Sequence, residues 1–294
     1  MNFALLADLA AAIGAASGLP FTCERHSIQG GGCINRGYSL IGRDGRHYFA
    51  KLNEADRLDQ FEAEAAGLCA LEAAGAIRVP HPVASGSRGN GAFLVLEWLN
   101  LGGRERPADL GRQLALLHRH SQADFGWWRD NHIGSTPQHN PPMPDWIAFY
   151  RAWRLRPQFE LARHNAAPRG LLRQGERLLE RLEAFFPGYH PMPSLLHGDL
   201  WGGNHGYADG VPVLFDPAVY YGDREVDLAM TELFGGYPAD FYAAYRDAWP
   251  LDPGYRVRKP LYNLYHVLNH FNLFGGGYAA QAEAMVRRLL AEAG

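Results

Sequence analysis

Lysine is almost missing from this 294-residue chain. Of 28 basic residues only Lys51 and Lys259 are lysines, so arginine is the default cation and each lysine invites a chemical reason. Cysteine is scarce too. Cys23, Cys33 and Cys69 form no CxxC pair, which argues against a zinc site or a disulfide framework, and the odd count fits a reducing compartment. There is no basic excess. A net charge of −3 lacks the footprint that a nucleic-acid backbone requires. No run of about 20 apolar residues occurs, so no transmembrane span is expected. The opening MNFALLADLAAAIG has no cationic start and carries Asp8, and predicts an amphipathic helix rather than a signal peptide. With 47% hydrophobic and 20% charged residues, a soluble, globular, cytoplasmic protein is expected. The length suffices for one large core or two lobes.

The first third alternates strand-like runs with glycine turns. Strands are predicted near Cys23–Gln29, Ile34–Ile41 and Arg46–Leu52, with Arg43-Asp44-Gly45 as a hairpin signal. DRLDQFEAEAAGLCALEAAG reads as a helix with Phe61, Ala65, Leu68, Cys69 and Leu71 on one apolar face. HPVASG and AFLVLEWL read as two strands joined at SRGNG. After about Gly102 the texture turns helical, in DLGRQLALLHRH, DWIAFYRAWRLRPQFELARH and LLRQGERLLERLEAFF. A strand-and-loop island, SLLHGDLWGGNHGYADGVPVLFDP, interrupts it, and helices follow from about Asp223. The expected class is α+β and bilobal. Residues 1–99 form a β-rich lobe with one helix, and residues 100–294 form a mostly helical lobe. Neither a repeat nor a low-complexity tract is present.

The strongest chemical signal is His197-Gly198-Asp199-Leu200-Trp201-Gly202-Gly203-Asn204. Its H-x-D-x-x-x-x-N frame has the spacing of a kinase catalytic loop. In that chemistry a carboxylate accepts the proton of the attacking hydroxyl, and an amide oxygen further on ligates Mg²⁺. Val213-Leu214-Phe215-Asp216 supplies a second carboxylate at the end of an apolar strand, with Pro217-Ala218 in place of Phe-Gly. The bland alternative is that Asp199 and Asn204 cap turns in a glycine-rich loop. Lys51, in FAKLN, is placed to reach nucleotide phosphates. Its expected partner is a glutamate on the next helix, Glu64 rather than Glu62.

Gly30, Gly31 and Gly32, followed by Cys33, Ile34 and Asn35, lie between two predicted strands. Backbone N–H groups there can approach phosphates, although a flexible turn would read the same. A thiol at Cys33 suggests sensitivity of nucleotide binding to oxidation, with a buried inert thiol as the alternative. Backbone atoms of Glu97, Trp98 and Leu99 sit where a lobe-connecting hinge would meet adenine. The histidines give no metal pattern: His118 and His120 are two apart, and His266 and His270 lack an HExxH glutamate. His197 is expected to brace the loop rather than move protons.

Taken together, GGGCIN, FAKLN, FEAEAAGL, VPHPVASG, LVLEWLNL, DNHIGSTPQHN, LLHGDLWGGN, FDPAVYYGDREVDLAM and LYNLYHVLNHFNLFGGGY resemble the fructosamine kinase (ketosamine-3-kinase) family across about residues 28–290. HGDLWGGN followed by FDPAVYYGDRE is specific to it, whereas HGD alone is shared with aminoglycoside and choline kinases. The resemblance implies a protein-kinase-like (aminoglycoside-phosphotransferase-like) fold. It also implies transfer of the ATP γ-phosphoryl group to the 3-hydroxyl of a ribulosamine, erythrulosamine or fructosamine, in deglycation of amines or proteins. By position it implies Asp199 as general base, Asn204 and Asp216 as Mg²⁺ ligands, and Lys51 with Glu64 as the phosphate-orienting pair. Trp201, Asp223, Glu225, Asn269 and His270 are the expected acceptor residues, each with capping or core packing as its alternative. The rivals are an aminoglycoside- or choline-type phosphotransferase and an inactive pseudokinase scaffold. The partners expected are a free or protein-bound ketosamine, with neither nucleic acid nor membrane.

Overall fold

The computed structural model describes residues 3–30 and 35–294. The chain divides into two compact units, residues 1–106 with 206–217, and residues 107–205 with 218–294. Residues 1–99, expected as a first lobe, lie within the first of these units, which also takes in a late hairpin.

Helix α1 (Phe3–Ser17) opens the first unit. Its Leu9 and Ile13, four apart and therefore on one face, are wholly buried against Leu40, Ala50 and Val95 of the sheet. The sheet is formed by β1 (Cys23–Gln29), β2 (Arg36–Gly42), β3 (His47–Glu54), β4 (Pro82–Arg88) and β5 (Gly91–Glu97). It is antiparallel in the order β1-β2-β3-β5-β4. The β2–β3 turn closes where predicted: Asp44 accepts the Arg46 amide at 3.0 Å, and Gly45 takes φ +82°. Helix α2 (Leu58–Ala74) buries Phe61, Leu68 and Leu71 and stops at Gly75 in the left-handed region. Cys69, expected on its apolar face, is exposed instead.

The second unit begins with α3 (Pro107–His118). A small hairpin, β6 (Asn131–Ile133) and β7 (Thr136–Gln138), follows in a stretch whose sequence shows no alternation. The single helix predicted from DWIAFYRAWRLRPQFELARH is α4 (Trp146–Tyr150), a π-helical turn (Arg151–Leu155) and α5 (Arg156–His164). Arg154 in that turn is wholly buried and donates to the His139 carbonyl and to Asn140 Oδ1. Next come α6 (Arg169–Leu179) and β8 (Ser194–Leu196).

Strands β9 (His205–Ala208) and β10 (Val211–Leu214) form the hairpin assigned to the first unit. The reason is hydrogen bonding: Leu214 donates to the Arg78 carbonyl at 3.0 Å and Gly102 to that of Tyr207 at 2.7 Å. The chain returns through β11 (Tyr220–Gly222), which pairs antiparallel with β8, so Tyr220 lies opposite Leu196. Helices α7 (Glu225–Thr231), α8 (Ala239–Ala248), α9 (Tyr255–Phe274) and α10 (Tyr278–Glu292) complete it. All seven residues of α7 are buried. Gly111 lets α3 meet α8 closely, since a Cβ there would strike the Phe241 carbonyl. Among the described residues no helix is long and apolar enough to cross a membrane.

Candidate active site

In the first unit, β3 carries Lys51 inward, where it is 6% exposed. Burial of an ammonium is costly unless carboxylates surround it. Two do. Lys51 Nζ lies 2.6 Å from Glu64 on α2 and 2.5 Å from Asp216 just beyond β10. Burial pushes the Lys51 pKa down, but Asp216 and Glu64 outweigh it and hold the group charged. Burial lifts the Glu64 pKa against the pull of Lys51, and Asp216 adds to the lift. Glu62 is exposed, so only Glu64 meets the lysine. Asp216 is held at φ +57°, an uncommon conformation for a non-glycine residue. Its side chain remains 45% exposed.

In the second unit, β8 delivers His197, Gly198 and Asp199. His197 is wholly buried, its carbonyl accepts the Ala218 amide at 2.8 Å, and its Nδ1 accepts the Asp199 amide at 3.3 Å. Gly198 takes φ +83° against the Ala218 carbonyl, where a Cβ would collide. Asn204 donates its amide to the Asp199 carbonyl (2.8 Å) and carboxylate (3.2 Å), which turns its oxygen the other way. Residues 199 and 204 are thereby fixed to each other.

Sequence reasoning missed the residue that holds this loop. Asp227 on α7 accepts the amides of His197 (2.7 Å) and Gly198 (2.9 Å) and faces His118 Nε2 at 3.1 Å. Burial raises its pKa, but the His118 hydrogen bond, with His197 and the Gly198 amide, brings it below the ordinary carboxylate value. The available signal was an acid inside the apolar run VDLAM.

The remaining expected residues divide. Gly31, Gly32 and Cys33 lie outside the described residues; Gly30 is exposed, and Asn35 accepts from Asn53 at 2.7 Å. The Glu97 amide donates to the His81 carbonyl, and its carboxylate accepts from Arg78. Trp98 stacks on His47 with ring centroids 4.0 Å apart. Trp201 is 40% exposed, and its ring lies over Gly203, where a Cβ would strike it. His270 is half-buried among Phe234, Phe274 and Tyr278.

Three of the expected acceptor residues are buried and have internal partners. Asp223 is wholly buried and accepts from Tyr189 and Tyr262. Glu225 is wholly buried in a two-point pair with Arg258, at 2.7 and 3.0 Å. Asn269 is 3% exposed, accepts from Gln158 and donates to the Ile133 carbonyl. Internal partners therefore take the groups that a substrate amine or hydroxyl was expected to meet.

The antiparallel sheet with one inserted helix, followed by a helical unit, is the aminoglycoside-phosphotransferase-like kinase fold. An ADP-bound aminoglycoside phosphotransferase shares it at a TM-score of 0.63 and 11% identity, over 98% of this chain and 99% of that one. A crystal structure of a fructosamine-3-kinase candidate from Haemophilus somnus matches at 0.87 and 26% identity, over 96% of each chain. The sequence profile of fructosamine kinase matches residues 5–292, and the chain belongs to that family. A probable ketoamine kinase from Synechocystis is 46% identical over 286 residues, 96% of each chain. The chloroplastic protein-ribulosamine 3-kinase of Oryza sativa subsp. indica is 41% identical over 262 residues, 87% of this chain and 76% of that one. Membership in a kinase family carries with it the use of ATP.

Proposed function

We propose that this chain is a ketosamine 3-kinase that transfers the γ-phosphoryl group of ATP to the 3-hydroxyl of a ribulosamine, erythrulosamine or fructosamine, in deglycation of small amines or proteins. Family membership supports the reaction class. The observation that carries the residue roles is the loop on which Asp199 and Asn204 are tied together and clamped from behind by Asp227. A carboxylate so held is positioned rather than mobile, as a base must be.

In this reading Asp199 accepts the proton of the attacking hydroxyl at its carboxylate. Lys51, oriented by Glu64, holds the nucleotide phosphates. Gly30, Gly31, Gly32 and Asn35 shape the loop beside those phosphates, and the backbone of Trp98 and Leu99 meets the adenine edge. Trp201 offers an exposed ring face to the sugar-amine, with His270 as a further acceptor residue. The donor set suits Mg²⁺. Among the described residues no group of three or more His, Cys, Asp or Glu side chains can hold a metal alone. Asn204 and Asp216 offer one amide oxygen and one carboxylate, the sparse set that Mg²⁺ takes when phosphates supply the rest. Held by those two residues, the ion would supply neutralisation of phosphate charge during transfer of the phosphoryl group. A cytoplasmic site of action fits the scarcity of cysteine.

The test is phosphorylation of ribulose-, erythrulose- and fructose-lysine with Mg-ATP, with the product's phosphate position read by NMR. Phosphate on the third carbon supports the reading. Turnover of aminoglycosides or choline with none of the three ketosamines overturns it.

A further inference from the structure

Outside the residues assigned to phosphoryl transfer, the second unit has a shallow, open cleft of about 440 Å³ flanking the β6–β7 hairpin. Trp127, Trp128 and Trp153 line it, together with Arg129, Asp130 and His139. Its size is within the range of about 300–1,000 Å³ typical of small-molecule sites.

Two features of these tryptophans bear on what the cleft can hold. Trp128 is 74% exposed, although a large flat apolar ring is costly to leave in water. In addition, none of the three indole N–H groups has a hydrogen-bond partner among the described residues. Trp146, by comparison, donates to Tyr262 and Trp98 to Asn100. Trp127 is only 6% exposed, yet its indole N–H is not among the sealed polar atoms that lack a partner, so it reaches solvent. Three indole donors and two edge-on aromatic pairs therefore line the cleft. Trp127 meets Trp128 at 5.4 Å and 60°, and His139 meets Trp153 at 6.0 Å and 71°.

The polar groups narrow the chemistry. Asp130 is fixed at both oxygens, by the Asn140 amide at 2.8 Å and His139 Nδ1 at 2.6 Å. Each oxygen keeps lone-pair capacity for a further donor. Arg129 lies 5.6 Å from the Trp128 ring centroid. An organic cation would meet Arg129 and could not accept from indole N–H groups. An anion would meet Asp130. A neutral ligand that both donates and accepts around an apolar ring face satisfies every group. We propose that this cleft binds the ring of a neutral saccharide, with its C–H face on Trp128 and its hydroxyls between the indole N–H groups and Asp130.

The cleft is also wired to the segment that follows Asp216. Asn131 donates to the Val219 carbonyl at 2.7 Å and Gln138 to that of Ala218 at 3.2 Å. Arg154 ties the His139 carbonyl and Asn140 while lying 3.9 Å from the Tyr220 ring centroid. A saccharide here thus rests on a rigid base.

The test is calorimetric titration of the full chain with maltose, an aldose disaccharide without an amine, in the absence of ATP. This makes it independent of the ketosamine reading. Binding is expected, weakened roughly tenfold or more by Trp128→Ala and by Asp130→Asn, and unchanged by Trp201→Ala. Trp128→Ala, at an exposed position, is expected to leave kcat with a ketosamine acceptor unaltered. Absence of binding at tens of millimolar maltose overturns the proposal. So does binding that survives Trp128→Ala, binding lost in Trp201→Ala, or binding of tetramethylammonium in place of the sugar.

Discussion

The carboxylate of Asp227 accepts the amide hydrogen of His197 at 2.7 Å, and through its other oxygen that of Gly198 at 2.9 Å. Two consecutive backbone donors on one buried acid suspend the loop carrying Asp199 from helix α7. Asp227→Asn places an amide hydrogen where one of those donors points. The loss of about 1–3 kcal/mol for a buried polar group left unmatched predicts a kcat reduced by roughly 10–100-fold. Nucleotide affinity should be unchanged. Because the Asp227 pKa is below its unfolded value, its contribution to stability is present above that unfolded value and is lost as pH falls through the folded one. Thermal melts below about pH 4 should therefore separate wild type from Asp227→Asn less than melts at pH 7.

Asp199→Asn keeps the contact with Asn204 in shape but removes the proton acceptor. ATP binding should persist while kcat falls by roughly 10²–10⁴-fold. Steady-state kinetics together with nucleotide titration separate the two, and near-normal turnover removes Asp199 from the role of base.

Lys51→Met leaves Glu64 buried without its cation. KM for ATP should rise by roughly tenfold or more, since a charge-assisted contact is lost. The same variant should show inverted pH behaviour. Glu64 then has a pKa raised by burial and by Asp216, so the fold gains by protonating it. Its contribution is greatest below the unfolded pKa and fades as pH rises through the folded one. Melting temperatures at pH 5 and pH 8 check the sign.

Arg258→Met tests the structural role of Glu225. Removing one member of a buried pair costs about 3–5 kcal/mol, measurable by urea unfolding. Glu225→Gln should leave the KM for the ketosamine unchanged. A large rise in that KM would restore Glu225 to the acceptor site.

Gly198→Ala adds a methyl group against the Ala218 carbonyl at φ +83°. Activity should be lost, while circular dichroism still reports a folded chain if the damage stays within the loop.

Local pattern determined much of this by itself. The β2–β3 turn needed only Asp44 and Gly45, and the end of α2 only Gly75, because backbone conformation there is decided by adjacent residues. Lys51 stood out through the rarity of lysine, and the spacing of Asp199 and Asn204 within one loop was visible as a motif. Helical geometry required that only one of Glu62 and Glu64 face Lys51, and the packed structure decides that it is Glu64.

Contacts between residues far apart in the chain decided the rest. Asp227 braces His197 across 30 positions, and nothing in VDLAM tells where its carboxylate points. Asp223, Glu225 and Asn269 look like substrate ligands in one dimension and are buried partners of Tyr262, Arg258 and Gln158 in three. The hairpin of residues 206–217 joins the first unit because Leu214 bonds to Arg78. Sequence carries short-range conformational preference, whereas burial and long-range hydrogen bonding exist only once the chain has packed.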